Sequence, residues 1–184
     1  PVRPAAHDAL AMMLSRVEAI PMESLDAGVE WGWNTFPEYL DFLDRRLGVN
    51  AGVMMGHSAI RRYVMGDDSN EREQATGEEL EAMKAIIREG IQAGGIGLSF
   101  DRNRGHLDLL GKRIPGIVAP VEEIFELASA LHGPPPGARQ CGAAYPLERR
   151  GRSPTQLGEA SRRHVAPTPN VCTAHVPDLP RHRL

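Results

Sequence analysis

Apolar residues recur at helical intervals through several stretches of this chain and gather into short unbroken runs at two others. In AHDALAMMLSRVEAI, Leu10, Met13, Leu14, Val17 and Ile20 fall on one face of a helix. PMESLDAG predicts a short helical turn ending at Gly28. NTFPEYLDFLDRRLG offers Asn34 or Thr35 as N-cap and Pro37 in the first turn. Its stripe is Phe36, Tyr39, Leu40 and Leu43, with Gly48 as a stop. The run VNAGVMM predicts a short buried strand. In TGEELEAMKAIIREGIQAGG, Thr76 and Glu79 form a capping box ahead of a face made by Leu80, Met83, Ile86, Ile87 and Ile91. IGLSF predicts a second strand. A polar loop from Asp101 to Val118 follows, and PVEEIFELASAL then predicts a helix opened by Pro120.

Helices alternating with short apolar strands indicate a parallel sheet covered by helices. Two strands are too few for a complete α/β domain, and a closed barrel needs eight. The expected fold class is therefore α/β: a partial (β/α)8 TIM-barrel slice with two parallel strands and covering helices, plus an irregular C-terminal tail. Residues 1–131 make the barrel segment and 132–184 the Pro/Arg-rich tail.

Composition sharpens that division. A hydrophobic fraction of 41% and a net charge of −3 fit a globular chain with a core. The tail holds eight arginines against three acidic residues, net +5, which leaves −8 on the remainder. It has nine of the 15 prolines and no Ile, Phe, Met or Trp with which to build a core. A natural disordered tail has this composition, and so has the out-of-frame translation of a GC-rich gene. Cys141 and Cys172 both lie there, without CxxC or zinc-finger spacing. A cytoplasmic setting is expected. No apolar run reaches the length of a membrane span, and the N-terminus lacks both an initiator Met and a signal-peptide layout, as though cut from something longer.

Parallel α/β folds place their chemistry on loops that follow the C-terminal ends of strands. The first such loop holds Gly56, His57, Ser58 and Arg61; the second holds Ser99, Asp101, Arg102, Asn103, Arg104 and His106. If the strands run together, both sets share a rim. His57, opening a helix, can serve loop backbone or contact substrate or metal. Arg102 and His106 can together meet an anionic substrate or form a solvated loop. Trp31 and Trp33 read as loop packing. Residues 1–131 contain only three histidines, His7, His57 and His106, with no HxH pair and no cysteine, so no metal ligand set is expected there.

Three blocks of text carry a resemblance: WGWNTFPEYLD, GHSAIRRYVMG, and AGGIGLSFDR with the His106 that follows it. Over residues 1 to about 131 the chain resembles the D-aminoacylase family, the N-acyl-D-amino-acid deacylases of the amidohydrolase superfamily. The resemblance implies a zinc-dependent (β/α)8 barrel that hydrolyses the amide of an N-acyl-D-amino acid. In such an enzyme the metal polarises the acyl carbonyl and activates water while a carboxylate moves the proton. The family's HxH pair, cysteine, later histidines and late aspartate map onto nothing in this chain. His57, Ser58 and Arg61 match a Gly/Pro-His-[Gly/Ser]-x-x-Arg loop on the active-site rim, and Ser99, Arg102 and His106 match a Ser-x-x-Arg-x-x-x-His pattern of one branch. Other branches carry a tyrosine near the position of Arg104.

The expectation is thus a fragment of a zinc-dependent amidohydrolase acting on N-acyl-D-amino acids. The isolated chain should be inactive and without catalytic zinc or catalytic residues. Its six rim residues are candidates to face substrate or to support the groups that do. Self-association through open sheet edges is an expected partner interaction; membrane and nucleic-acid partners are not. The alternatives are a non-catalytic, oligomeric binding scaffold, and nucleic-acid binding through the Arg-rich tail.

Overall fold

The two capping boxes explain where the best-defined helices begin. In the computed structural model, which describes residues 1–44, 46–131 and Gln140–Ala143, Thr76 Oγ1 accepts from Glu79 N at 3.2 Å. Glu79 Oε2 accepts in return from Thr76 N at 2.7 Å. Two otherwise orphaned amide groups are satisfied, and α5, Gly77–Gln92, starts there. It stops before Gly94, whose φ of 110° suits only glycine. Thr35 and Glu38 repeat the device at α3, Phe36–Leu43, which decides between the two expected caps in favour of Thr35. Ahead of α3 lie α1, His7–Val17, and α2, Met22–Gly28.

The two expected strands form as β1, Met54–Gly56, and β2, Gly97–Phe100, joined by α4, His57–Met65, and then α5. They pair in parallel, Met54 opposite Gly97, Met55 opposite Leu98 and Gly56 opposite Ser99. Ile96 N donates to Val53 O at 3.0 Å, one step ahead of that ladder. Downstream lie α6, Pro115–Val118, and α7, Val121–Ser129. α6 occupies what reads in the sequence as the end of a polar loop; Pro115 at its first position starts a turn too short to show periodicity.

One expectation is corrected. The sheet has three strands, in the order β1-β2-β3, and β3, Gln140–Ala143, runs parallel to β2 with Leu98 opposite Cys141. This segment was expected to be irregular tail. The backbone of β2 has a free edge to offer after α7, and a strand of small and polar residues can take it without an apolar run to announce it. The remainder of the 132–184 tail lies outside the described residues. The α/β arrangement of parallel strands and covering helices fits a slice of a TIM barrel.

Strand alternation sets the two faces of the sheet. Met55 and Leu98 are wholly buried on one face, against Phe36, Ile60, Met83, Ile87 and Leu127 from the covering helices. Met54, Gly56 and Ser99 turn to the other face. The core predicted from α5 is thus real on its Met83, Ile87 and Ile91 positions. The α1 stripe has a different fate: Leu10 is buried, while Met13, Leu14 and Val17 are only part-buried and line a cavity.

Candidate functional site

His57 is the first residue of α4, set directly beyond β1 with Gly56 as N-cap. Arg61 follows one turn later on the same helix face, as i and i+4 spacing requires. Both are 0% exposed, and both reach Glu123 in the first turn of α7. His57 Nε2 lies 2.8 Å from Glu123 Oε1, and Arg61 Nε lies 3.3 Å from the same oxygen. The second contact is an ion pair outside hydrogen-bond geometry. A carboxylate only accepts, so the His57 ring donates through Nε2. Its Nδ1 is buried and has no protein partner.

The other donors of Arg61 are spent on main chain. Nη1 donates to Ser69 O and Pro115 O, both at 3.3 Å, and Nη2 to Arg72 O at 2.8 Å and Glu73 O at 2.9 Å. Burial draws the guanidinium below its ordinary pKa, opposed by the charge of Glu123. An arginine in this setting still carries its charge at neutral pH. Ser58 Oγ accepts from Gly116 N at 3.0 Å, which ties the start of α4 to α6.

The second loop is knitted in the same manner. Arg102 Nη1 donates to Gly116 O, near the start of α6, at 3.1 Å and to Ala119 O, just past its end. Burial pulls its pKa down, with the neighbouring charge of Arg104 adding to the effect. His106 Nδ1 bonds Asp101 Oδ2, and Asp101 Oδ1 accepts from Asn103 N at 2.8 Å. Ser99 Oγ donates to Met55 O at 3.4 Å, across the two strands.

A cavity of about 540 Å³ lies beyond the C-terminal ends of β1 and β2. His57, Ser58, Ser99 and Asp101 line its polar end; α1, Trp31, Trp33 and Tyr39 line the rest. Arg61, Arg102 and His106 are not on its wall. Trp31 stacks on His7 with ring centroids 4.7 Å apart, and its φ of 46° is unusual for a bulky side chain. The tryptophans pack their loop as expected, Trp33 lying against Tyr39 and Phe42, and they form cavity wall as well.

Sequence reasoning passed over Glu123, which binds His57 and Arg61 together. A signal existed. Ile124 and Leu127 define the buried face of α7, and Glu123, four residues before Leu127, lies on it. Among the described residues no group of three or more His, Cys, Asp or Glu side chains could hold a metal ion, and no helix is long and apolar enough to cross a membrane.

Comparison with known proteins adds the following. No family model matches the chain. It is 39% identical over 80 residues to a D-aminoacylase of Alcaligenes xylosoxydans xylosoxydans, covering 43% of this chain and 16% of that protein. It is 34% identical over 130 residues to an uncharacterized protein of Mycobacterium bovis, covering 66% of this chain and 21% of the relative. A crystal structure of D-aminoacylase, described as defining a subset of amidohydrolases, aligns with 34% identity over 60% of this chain and 21% of the other, with a TM-score of 0.46. The chain thus spans about a fifth of the length of these relatives. Over part of its length the chain is similar in sequence to D-aminoacylase.

Proposed function

We propose that this chain forms part of the active-site rim of an amide hydrolase of the D-aminoacylase kind, whose substrate is an N-acyl-D-amino acid. The observation that carries the reading is the common direction of β1 and β2. It delivers His57, Ser58, Ser99 and Asp101 to one cavity at the strand ends, where parallel α/β enzymes keep their chemistry. The partial identity to a D-aminoacylase supports the choice of reaction.

In this reading His57 and Ser99 face the cavity, while Arg61 and Arg102 act as positioning residues that hold the two loops to α6. His106 shapes the second loop through Asp101. A related structure is described by the binuclear metal center of D-aminoacylase. The described residues of this chain do not make a ligand set for such a center. Zinc and the reacting groups would come from outside the described residues, and the isolated chain would be inactive. A cytoplasmic setting belongs to the same proposal.

The test is a chimera in which the 80-residue stretch of this chain that matches the Alcaligenes enzyme replaces its counterpart there, assayed on an N-acetyl-D-amino acid. Retained hydrolysis is expected. A folded, metal-loaded chimera without activity would overturn the reading. Zinc titration of this chain alone should show no tight stoichiometric site; one that survives deletion of 132–184 would contradict the assignment of the ligands elsewhere.

A further inference from the structure

We propose that the cavity between α1 and the strand ends receives the acyl half of the substrate, and that it is built for an apolar acyl group much larger than acetyl. The proposal rests on the hydrolase reading of this site. At about 540 Å³ the enclosure is of the size that buries a small ligand, and an acetyl group would leave most of it empty. Its body is apolar. Met13, Leu14 and Val17 of α1 form one side, and the part-buried rings of Trp31 and Trp33 stand beside them.

Charge decides which half of the substrate enters. The wall carries Glu18 and Asp101 and, among the described residues, no lysine or arginine. The amine of Pro1 also lines it, and burial favours that amine's neutral form. A carboxylate taken inside would lose its hydration and meet like charge with no cation to pair it. The substrate's carboxylate therefore stays outside. In an N-acyl-amino acid the side chain and the carboxylate branch from one carbon, whereas the acyl chain lies on the far side of the amide. A side chain cannot go deep without drawing the carboxylate in after it. An acyl chain can.

Two isomers test this on the full chain. N-phenylacetyl-D-alanine and N-acetyl-D-phenylalanine have the same composition and charge and differ in which half carries the ring; N-acetyl-D-alanine carries no ring. Affinity is read by calorimetry at about pH 8.5, above the usual range of an α-amino group, so that the Pro1 amine is neutral. Location is read by NMR of the indole N–H signals of Trp31 and Trp33, the chain's two tryptophans. N-phenylacetyl-D-alanine should bind saturably and shift both indole signals. It should bind roughly tenfold more tightly than either acetyl compound. Gly56→Leu supplies the blocking variant. Gly56 lines the cavity at φ −79°, and a Cβ there meets nothing within 4 Å, so the larger side chain enters the cavity without disturbing backbone.

Loss of N-phenylacetyl-D-alanine binding in Gly56→Leu, with an unchanged thermal melt, supports the site. Equal affinity of the two isomers, or a preference for N-acetyl-D-phenylalanine, would overturn the assignment to the acyl half. Absence of binding, or binding that Gly56→Leu leaves intact, would overturn the cavity as the acyl site. The chimera is assayed with an acetyl group, so either failure leaves the hydrolase reading standing, whereas an inactive chimera removes that premise whatever the isomers do.

Discussion

Glu123 is the residue on which the rim turns, because one buried carboxylate oxygen faces both an imidazole and a guanidinium. Removing it leaves the Arg61 charge buried without a counter-ion. Glu123→Ala should therefore cost about 3–5 kcal/mol, read as a lower urea midpoint at unchanged slope. A loss below 1 kcal/mol would show that the pair contributes little. Glu79 makes a different, part-buried case. Its hydrogen bond from Arg72 at 2.5 Å, with help from the Thr76 amide, lowers its pKa from 4.5 to about 2. A depressed carboxyl contributes stability that is fully present above pH 4.5 and is lost as pH falls through about 2. Between those limits the wild-type chain should lose more stability than Glu79→Gln, in parallel acid melts; equal losses would refute the linkage. Such residue-level roles were only half legible. The Thr76 box can be read directly from its spacing, whereas the partners of His57 and Arg61 lie 66 and 62 positions away on another helix.

At the scale of elements, α6 is the piece both rim loops grip. Ser58 and Arg102 hold the same residue, Gly116, by its amide and its carbonyl. A Cβ on Gly116 would stand 2.7 Å from Asp101 O and 3.0 Å from Ser58 Oγ, so backbone as well as side chain must give way. Gly116→Ala should destabilise by roughly 1–3 kcal/mol although alanine is the better helix former. The melt should be accompanied by NMR shifts in the Asp101–His106 loop; a neutral melt with an unmoved loop would sink this account. Neither α6 nor β3 could be read beforehand. Four residues are too few to show a helical period, and Gln140–Ala143 carries neither the alternation nor the apolar run by which strands announce themselves. The long amphipathic α5 and the two short apolar strands were legible because propensity, caps and burial agree there.

For the molecule as a whole, the sheet order leaves β1 paired on one side only among the described strands. Unsatisfied strand edges attract other chains. The apparent mass in size-exclusion chromatography should therefore rise with concentration, and Met55→Pro should not be used to block it, since Met55 is wholly buried. A charged substitution at Val53, which is part-buried just before β1, is the better test; concentration-independent monomer behaviour would refute the expectation. The parallel direction of the sheet was deducible from the order of elements, since parallel neighbours need a crossover long enough to hold a helix. The cavity was not, because it depends on α1 and the Trp31–Trp33 segment lying over strands that follow them in the chain.

Arg61 holds its surroundings by oxygen atoms that every residue possesses. Ser69, Pro115, Arg72 and Glu73 are grasped through their peptide groups, not through what distinguishes one amino acid from another. A segment anchored in this way is free to drift in sequence while its path stays put. Glu73 in particular could be exchanged for most other amino acids without loosening the grip, whereas lysine in place of Arg61, having one nitrogen where the guanidinium has three, could not reproduce it.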